Sequence, residues 1–93
     1  MIQGFVCDET QLVFEGKRSR VLPANIQNVL HRKLLMLDAA RELVDLRIPP
    51  GNRLEALKGD RAGQHSIRVN QQWRVCFVWT DSGPDEVECV DYH

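Results

Sequence analysis

The stretch His65-Ser66-Ile67-Arg68-Val69-Asn70-Gln71-Gln72-Trp73-Arg74-Val75-Cys76-Phe77-Val78-Trp79 decides the fold class. Its residues change character with a period of two, the spacing that sends successive side chains to opposite faces of a sheet. Ile67 and Val69 share one face, with Ser66 and Arg68 on the other. After a short connection at Asn70-Gln71-Gln72, Trp73, Val75, Phe77 and Trp79 share a face, and Arg74, Cys76 and Val78 take the opposite one. Two such runs joined by a few polar residues read as an antiparallel hairpin.

Outward from this hairpin the same period continues. Upstream, Arg53-Leu54-Glu55-Ala56-Leu57 alternates and ends in a turn at Lys58-Gly59-Asp60-Arg61-Ala62-Gly63. Downstream, Asp81-Ser82-Gly83-Pro84 turns the chain into a last strand, Glu86 to Tyr92. The first half has a different period. Ile26, Val29, Leu30, Leu34 and Leu37 recur at three- and four-residue steps, so a helix of several turns follows Pro23 with one apolar stripe. A second helical piece is expected from Ala39 to Leu46, stopped by the loop Pro49-Pro50-Gly51. Ile2 to Cys7 reads as an opening strand, and Gln11 to Glu15 as a short helix ended by Gly16. The expected fold is α+β, an N-terminal strand and helices packed on one face of a mainly antiparallel sheet. Residues 1–93 carry no linker or repeat and are expected to form one domain.

Composition narrows the function classes. Of the 93 residues 43% are hydrophobic and 27% charged, an ordinary globular balance. No apolar run approaches the roughly 20 residues of a membrane span, and the start lacks the features of a signal peptide, so a cytoplasmic protein without a membrane partner is expected. Cys7, Cys76 and Cys89 cannot all pair and show no C-x-x-C spacing, which argues for free thiols in apolar surroundings. The net charge of −1 argues against nucleic acid only at first sight. Between Gly16 and Leu37 stand Lys17, Arg18, Arg20, Arg32 and Lys33 with no acid. From Arg53 to Arg74 stand Arg53, Lys58, Arg61, Arg68 and Arg74 against only Glu55 and Asp60. Five acids gather late, at Asp81, Asp85, Glu86, Glu88 and Asp91. A phosphate backbone responds to such local fields.

His31, His65 and His93 are scattered, which leaves no metal-ligand cluster, and no Gly-rich loop opens a helix. Metal-free RNA cleavage asks for a base at the 2′-hydroxyl, cations at the phosphorane-like transition state and an acid at the departing 5′-oxygen. Lys58 and Arg74 supply cations, Arg with a planar fork suited to phosphate. His93 can exchange a proton, and Tyr92 can position one or stack on a base. Taken singly, each has a plain structural reading: a frayed terminal His, a core-edge Tyr, a solubilising Arg, a turn Lys.

The combined string Leu57 to Arg74, with the ending Asp91-Tyr92-His93, resembles the HigB toxins of the RelE/ParE superfamily. Ile2 to Phe5, the Arg32-Lys33-Leu34 helix and Leu37-Asp38-Ala39-Ala40 agree, so the resemblance covers essentially the whole chain. It implies a RelE-like microbial ribonuclease fold and a toxin that cleaves messenger RNA on the ribosome without metal or cofactor. It also implies a HigA-like helix-turn-helix antitoxin, with operator DNA contacted only through the toxin–antitoxin complex. Carried over by position, Lys58 and Arg74 would stabilise phosphate charge, Tyr92 and His93 would orient the nucleotide and manage protons, and Asp91 would hold them. Arg61, Arg68 and Asn70 would position the RNA. Some relatives carry His where this chain has Glu55, which leaves the general base open, with His65 a less favoured substitute. The alternatives are a ParE-like, non-catalytic inhibitor of DNA gyrase and a binding module acting only through its antitoxin.

Overall fold

The computed structural model describes residues 1–92; His93 lies outside the described residues. Helix α1 spans Asp8–Phe14 and α2 spans Ala24–Ala39. Strands β1 (Glu55–Ala56), β2 (His65–Arg68), β3 (Trp73–Thr80) and β4 (Gly83–Asp91) follow. They form one sheet in the order β1-β2-β3-β4, every pair antiparallel. Short 3-10 turns at Leu43–Arg47, Pro50–Asn52 and Gly59–Arg61 make the connections.

The apolar periods meet in one core. Ile26, Leu30, Leu34 and Leu37 of α2 and Val13 of α1 bury against Ile67, Val69, Val75, Phe77, Val87 and Cys89 of the sheet. Each such side chain contributes on the order of 1.5–3 kcal/mol by leaving water. Both helices therefore lie on one face of the sheet, as the alternation in β3 predicts.

Five expected boundaries shift, each for a physical reason. The opening strand Ile2 to Cys7 contracts to one parallel bridge, Phe5 with Val87. Its backbone meets β4 through Gln3 N–H to Pro84 O (2.7 Å) and Val6 N–H to Val87 O (3.1 Å), while the Ile2 amide donates instead to Asp38 Oδ1 (2.8 Å). Helix α1 starts at Asp8 rather than Gln11, with Asp8 and Glu9 in its first turn, where carboxylates favour the positive end of the helix. The expected helix Ala39–Leu46 is not continuous. α2 ends at Ala39, Ala40 is extended, and Asp45 Oδ2 accepts the Arg41 and Glu42 N–H groups (3.0 Å each), capping a separate 3-10 turn.

Strand β1 is only two residues long because Arg53 before it is left-handed (φ 45°). The turn that places Arg53 is held by buried Asn52, whose Nδ2 donates to Leu46 O (3.1 Å) and whose Oδ1 accepts from Lys33 Nζ (2.6 Å). Burial, and after it the charge of Arg32, lowers the Lys33 pKa. Strand β4 begins at Gly83, earlier than expected, and carries a bulge: Cys76 pairs with Glu88 but Val78 with Asp85, and Glu86 has φ 51°.

Candidate active site on the open face

Cross-strand partners share a face. The pairs Glu55–Ser66, Ser66–Cys76 and Cys76–Glu88, with Arg68–Arg74 and Arg74–Val90, therefore lie together on the face away from the helices. A shallow cleft of about 250 Å³ opens there, lined by Arg53, Glu55, Arg68, Asn70, Gln71, Arg74 and Tyr92.

Arg74 forms its floor. Its side chain is only 12% exposed, and its fork is locked: Nε donates to Ser66 Oγ (2.7 Å) and Nη2 to Arg53 O (2.6 Å). Glu55 Oε1 stands 3.8 Å from the same Nη2 on a side chain 52% exposed. A guanidinium fixed by neutral oxygens keeps its charge for a ligand and needs no rearrangement when one arrives. Arg68 lies directly across the strands from Arg74, half-buried, and forms no ion pair among the described residues. Tyr92 stands over Arg74, with Cζ 6.0 Å from the ring centroid. The end of the chain is pinned from Gln72: Tyr92 N–H donates to Gln72 O (2.7 Å), and Gln72 Nε2 donates to Asp91 Oδ2 (2.9 Å).

The other expected residues take different places. Asn70 lines the cleft but also builds it, since its Oδ1 accepts the Gln72 and Trp73 N–H groups (2.8 Å each) and shapes the hairpin. Arg61 is committed on the same face, its Nη1 donating to Glu88 Oε1 (2.9 Å) and Gln64 Oε1 (3.0 Å). The hydrogen bond to Glu88 raises its pKa further. Beneath this pair Cys76 is fully buried, and burial pushes its thiol pKa up, against the pull of the Arg61 charge. Lys58 is exposed at the start of the Gly59–Arg61 turn and is not among the residues lining the cleft. His93 lies outside the described residues. His65 belongs to the opposite face, stacked on Phe77 at 6.4 Å with its Nδ1 buried and unpartnered, so it stands apart from Arg74. The described residues contain no group of three or more His, Cys, Asp or Glu side chains able to hold a metal ion.

Sequence reasoning left the part of Glu55 open and did not single out Arg53 or Ser66 as site residues. Ser66 was legible, a hydroxyl two positions from Arg68 on the same face of an alternating strand. Arg53 was not, because its carbonyl reaches Arg74 only through a left-handed backbone set by distant contacts of Asn52.

Comparison with known proteins shows the family. A family model described as the RelE-like toxin of type II toxin–antitoxin system HigB matches residues 7–93. Toxin HigB-1 of Vibrio cholerae is 54% identical over 71 residues, covering 76% of this chain and 75% of that protein. Endoribonuclease HigB of Proteus vulgaris is 31% identical over 93 residues, the full length of both. Among solved structures, the YoeB–YefM complex from Staphylococcus aureus superposes with a TM-score of 0.61 at 18% identity, covering 100% of this chain and 95% of that one. That likeness concerns the fold.

Proposed function

Because this chain belongs to the HigB-like, RelE-type toxins of type II toxin–antitoxin systems, and is an endoribonuclease of that kind, we propose that it cuts messenger RNA on the translating ribosome, with the open-face cleft as active site. One observation carries the reading: Arg68 and Arg74 face each other across adjacent strands, with Arg53 on the same cleft and Glu55 the one carboxylate side chain lining it among the described residues. Like charges placed directly opposite destabilise a sheet, and a phosphodiester between them turns that cost into a binding contribution.

The chemistry follows from the placement. The scissile phosphate sits over the locked Arg74 fork, with Arg68 on its flank and Lys58 reaching in from the rim. Glu55 takes the proton of the 2′-hydroxyl, and that oxygen attacks phosphorus as the bond to the 5′-oxygen breaks. His93 returns a proton to the departing oxygen, Tyr92 stacks on the adjoining base, and Asp91 holds the terminus. Arg61 acts one step back, keeping Glu88 and the sheet surface in place. The cations supply what a metal ion would otherwise supply at the phosphorane.

Ribosome dependence is supported by the helical side of the molecule. Lys17, Arg18, Arg20 and Arg32 are all exposed there, and no acid occurs between Gly16 and Leu37. Lys17, Arg18, Asn28 and His31 also line a recess of about 270 Å³ between α1 and α2. Such a surface suits ribosomal RNA while the cleft holds the message. A HigA-like helix-turn-helix antitoxin is the expected partner, with operator DNA reached through it, and the cytoplasm the expected location. The test is induced expression followed by mapping of new RNA ends on ribosome-bound transcripts. Cuts within coding sequence are expected; intact messages with stalled replication would instead favour a gyrase inhibitor.

A further inference from the structure

We propose that Lys33 of α2 and Asn52 are positioning residues for RNA cleavage: through the backbone of Arg53 they hold the Arg74 fork toward the cleft and apart from Glu55. The inference rests on the reading of Arg74 as the cation under the scissile phosphate, and it adds two residues that do not line the cleft.

Asn52 is fully buried, and its partners are selective. Its Oδ1 accepts from Lys33 Nζ (2.6 Å), and its Nδ2 donates to Leu46 O (3.1 Å). An ammonium can only donate and a carbonyl can only accept, so these two neighbours match the two ends of a carboxamide. Asp would set a negative oxygen against Leu46 O, and Leu would leave both neighbours unpartnered. A buried amide with both ends satisfied has one favourable orientation, and it fixes the peptide that follows.

That peptide leads to Arg53. Asn52 N–H donates to Pro49 O (2.9 Å) and Arg53 N–H to Pro50 O (3.1 Å), and the turn delivers Arg53 with φ 45° and ψ 54°. A residue other than Gly persists in this region only where its surroundings over-determine it. Here the result is a carbonyl 2.6 Å from Arg74 Nη2. Relaxation to extended backbone would swing ψ by roughly 80° and turn that oxygen away. Nη2 would then be left with Ser66 O, at 3.4 Å, and with Glu55 Oε1, at 3.8 Å. Charge favours the carboxylate. Closing that pair would neutralise the cation and engage the carboxylate that takes the 2′-hydroxyl proton. The Arg53 carbonyl is thus a neutral spacer between two opposite charges of the site. Lys33, half-buried in the helix layer across the sheet from the cleft, is the far end of its support.

The test is single-turnover cleavage of one messenger on programmed ribosomes, with Arg74 Nε–H exchange followed by NMR in the free protein. Lys33→Met keeps the stem and removes the donor. It is expected to lower the rate at saturating toxin at least tenfold, with the half-saturating concentration changed less than twofold. In an Arg74→Lys background no fork remains to be aimed, so the same substitution should lower the rate less than twofold. The Arg74 Nε–H, held by Ser66 Oγ, should exchange at least fivefold faster in Lys33→Met. Arg53→Val should speed that exchange more than Arg53→Asn, since both remove the charge but Asn tolerates the left-handed region. Unchanged exchange in Lys33→Met, or an equal loss of cleavage in both backgrounds, overturns the proposal and leaves Lys33 and Asn52 as packing residues. Should Lys33→Met fold poorly, the Arg53 pair decides by its exchange rates. Wild-type toxin that leaves messages intact would overturn the nuclease reading, while the exchange measurement still decides the positioning.

Discussion

Strand β3 faces two ways, and its two faces follow opposite rules. Toward the helices, Val75 and Phe77 are fully buried among Leu30, Leu34 and Ile67, where volume and shape decide. Toward the open side, Arg74 is nearly as enclosed, yet it is a cation held by Ser66 Oγ and Arg53 O and set opposite Arg68. The first face lowers free energy by removing apolar surface from water. The second holds charges close together with few counter-charges, an arrangement that favours a ligand over the empty protein. The contrast predicts that damage on one face shows as lost stability and damage on the other as lost cleavage.

The largest expected effect is removal of Tyr92 and His93. β4 ends at Asp91, and Tyr92 is 39% exposed, tied to the fold by one backbone hydrogen bond to Gln72 and its ring contact with Arg74. Growth arrest and messenger cleavage should vanish while the thermal melt stays close to the full-length protein. A truncated chain that still degrades messages would remove the terminus from the site.

Arg74→Ala comes next. Loss of one preorganised electrostatic donor typically costs about 10²–10³ in rate, and that fall is expected in cleavage with antitoxin affinity preserved. Arg74→Lys should recover only part of it, since an ammonium cannot reproduce the fork that binds Ser66 and Arg53. Equal loss of cleavage and antitoxin binding would point to misfolding. On the other face, Leu34→Ala should cost about 2–5 kcal/mol in denaturant unfolding, because Leu34 is fully buried. Its folded fraction should cleave at the normal rate per molecule.

The same contrast explains what could be read in the sequence. The core face repeats a simple period, so the stripe Ile26-Leu30-Leu34-Leu37 and the alternation in β3 were legible, and with them the α+β class. The strand order followed from short turns. The cleft was legible only in part. Arg74 stood out as a charge in an aromatic strand, whereas Glu55 enters because Arg53 turns left-handed and Asn52, anchored to Lys33 and Leu46, fixes that turn. Those contacts join residues far apart in the chain and leave no periodic trace. The N-terminal strand was overread for a related reason: the Ile2 amide that would have extended a ladder is taken by Asp38, 36 residues away.

The smallest expected effect is the most discriminating. In Arg68→Gln most of the side-chain stem survives and the like charge opposite Arg74 is gone. Cross-strand charge pairs are worth about 0.2–1 kcal/mol, so the free protein should gain stability of that order in low salt, and the gain should shrink as salt screens the wild-type repulsion. RNA affinity should move the other way. The variant neutralises one phosphate fewer, so the salt dependence of binding to single-stranded RNA should flatten by about 0.7 in logarithmic slope. A core residue cannot behave like this, since its replacement lowers stability without a salt signature. If Arg68→Gln destabilises the protein, or leaves the slope unchanged, then Arg68 belongs with the packing side of the comparison and the phosphate site must be built without it.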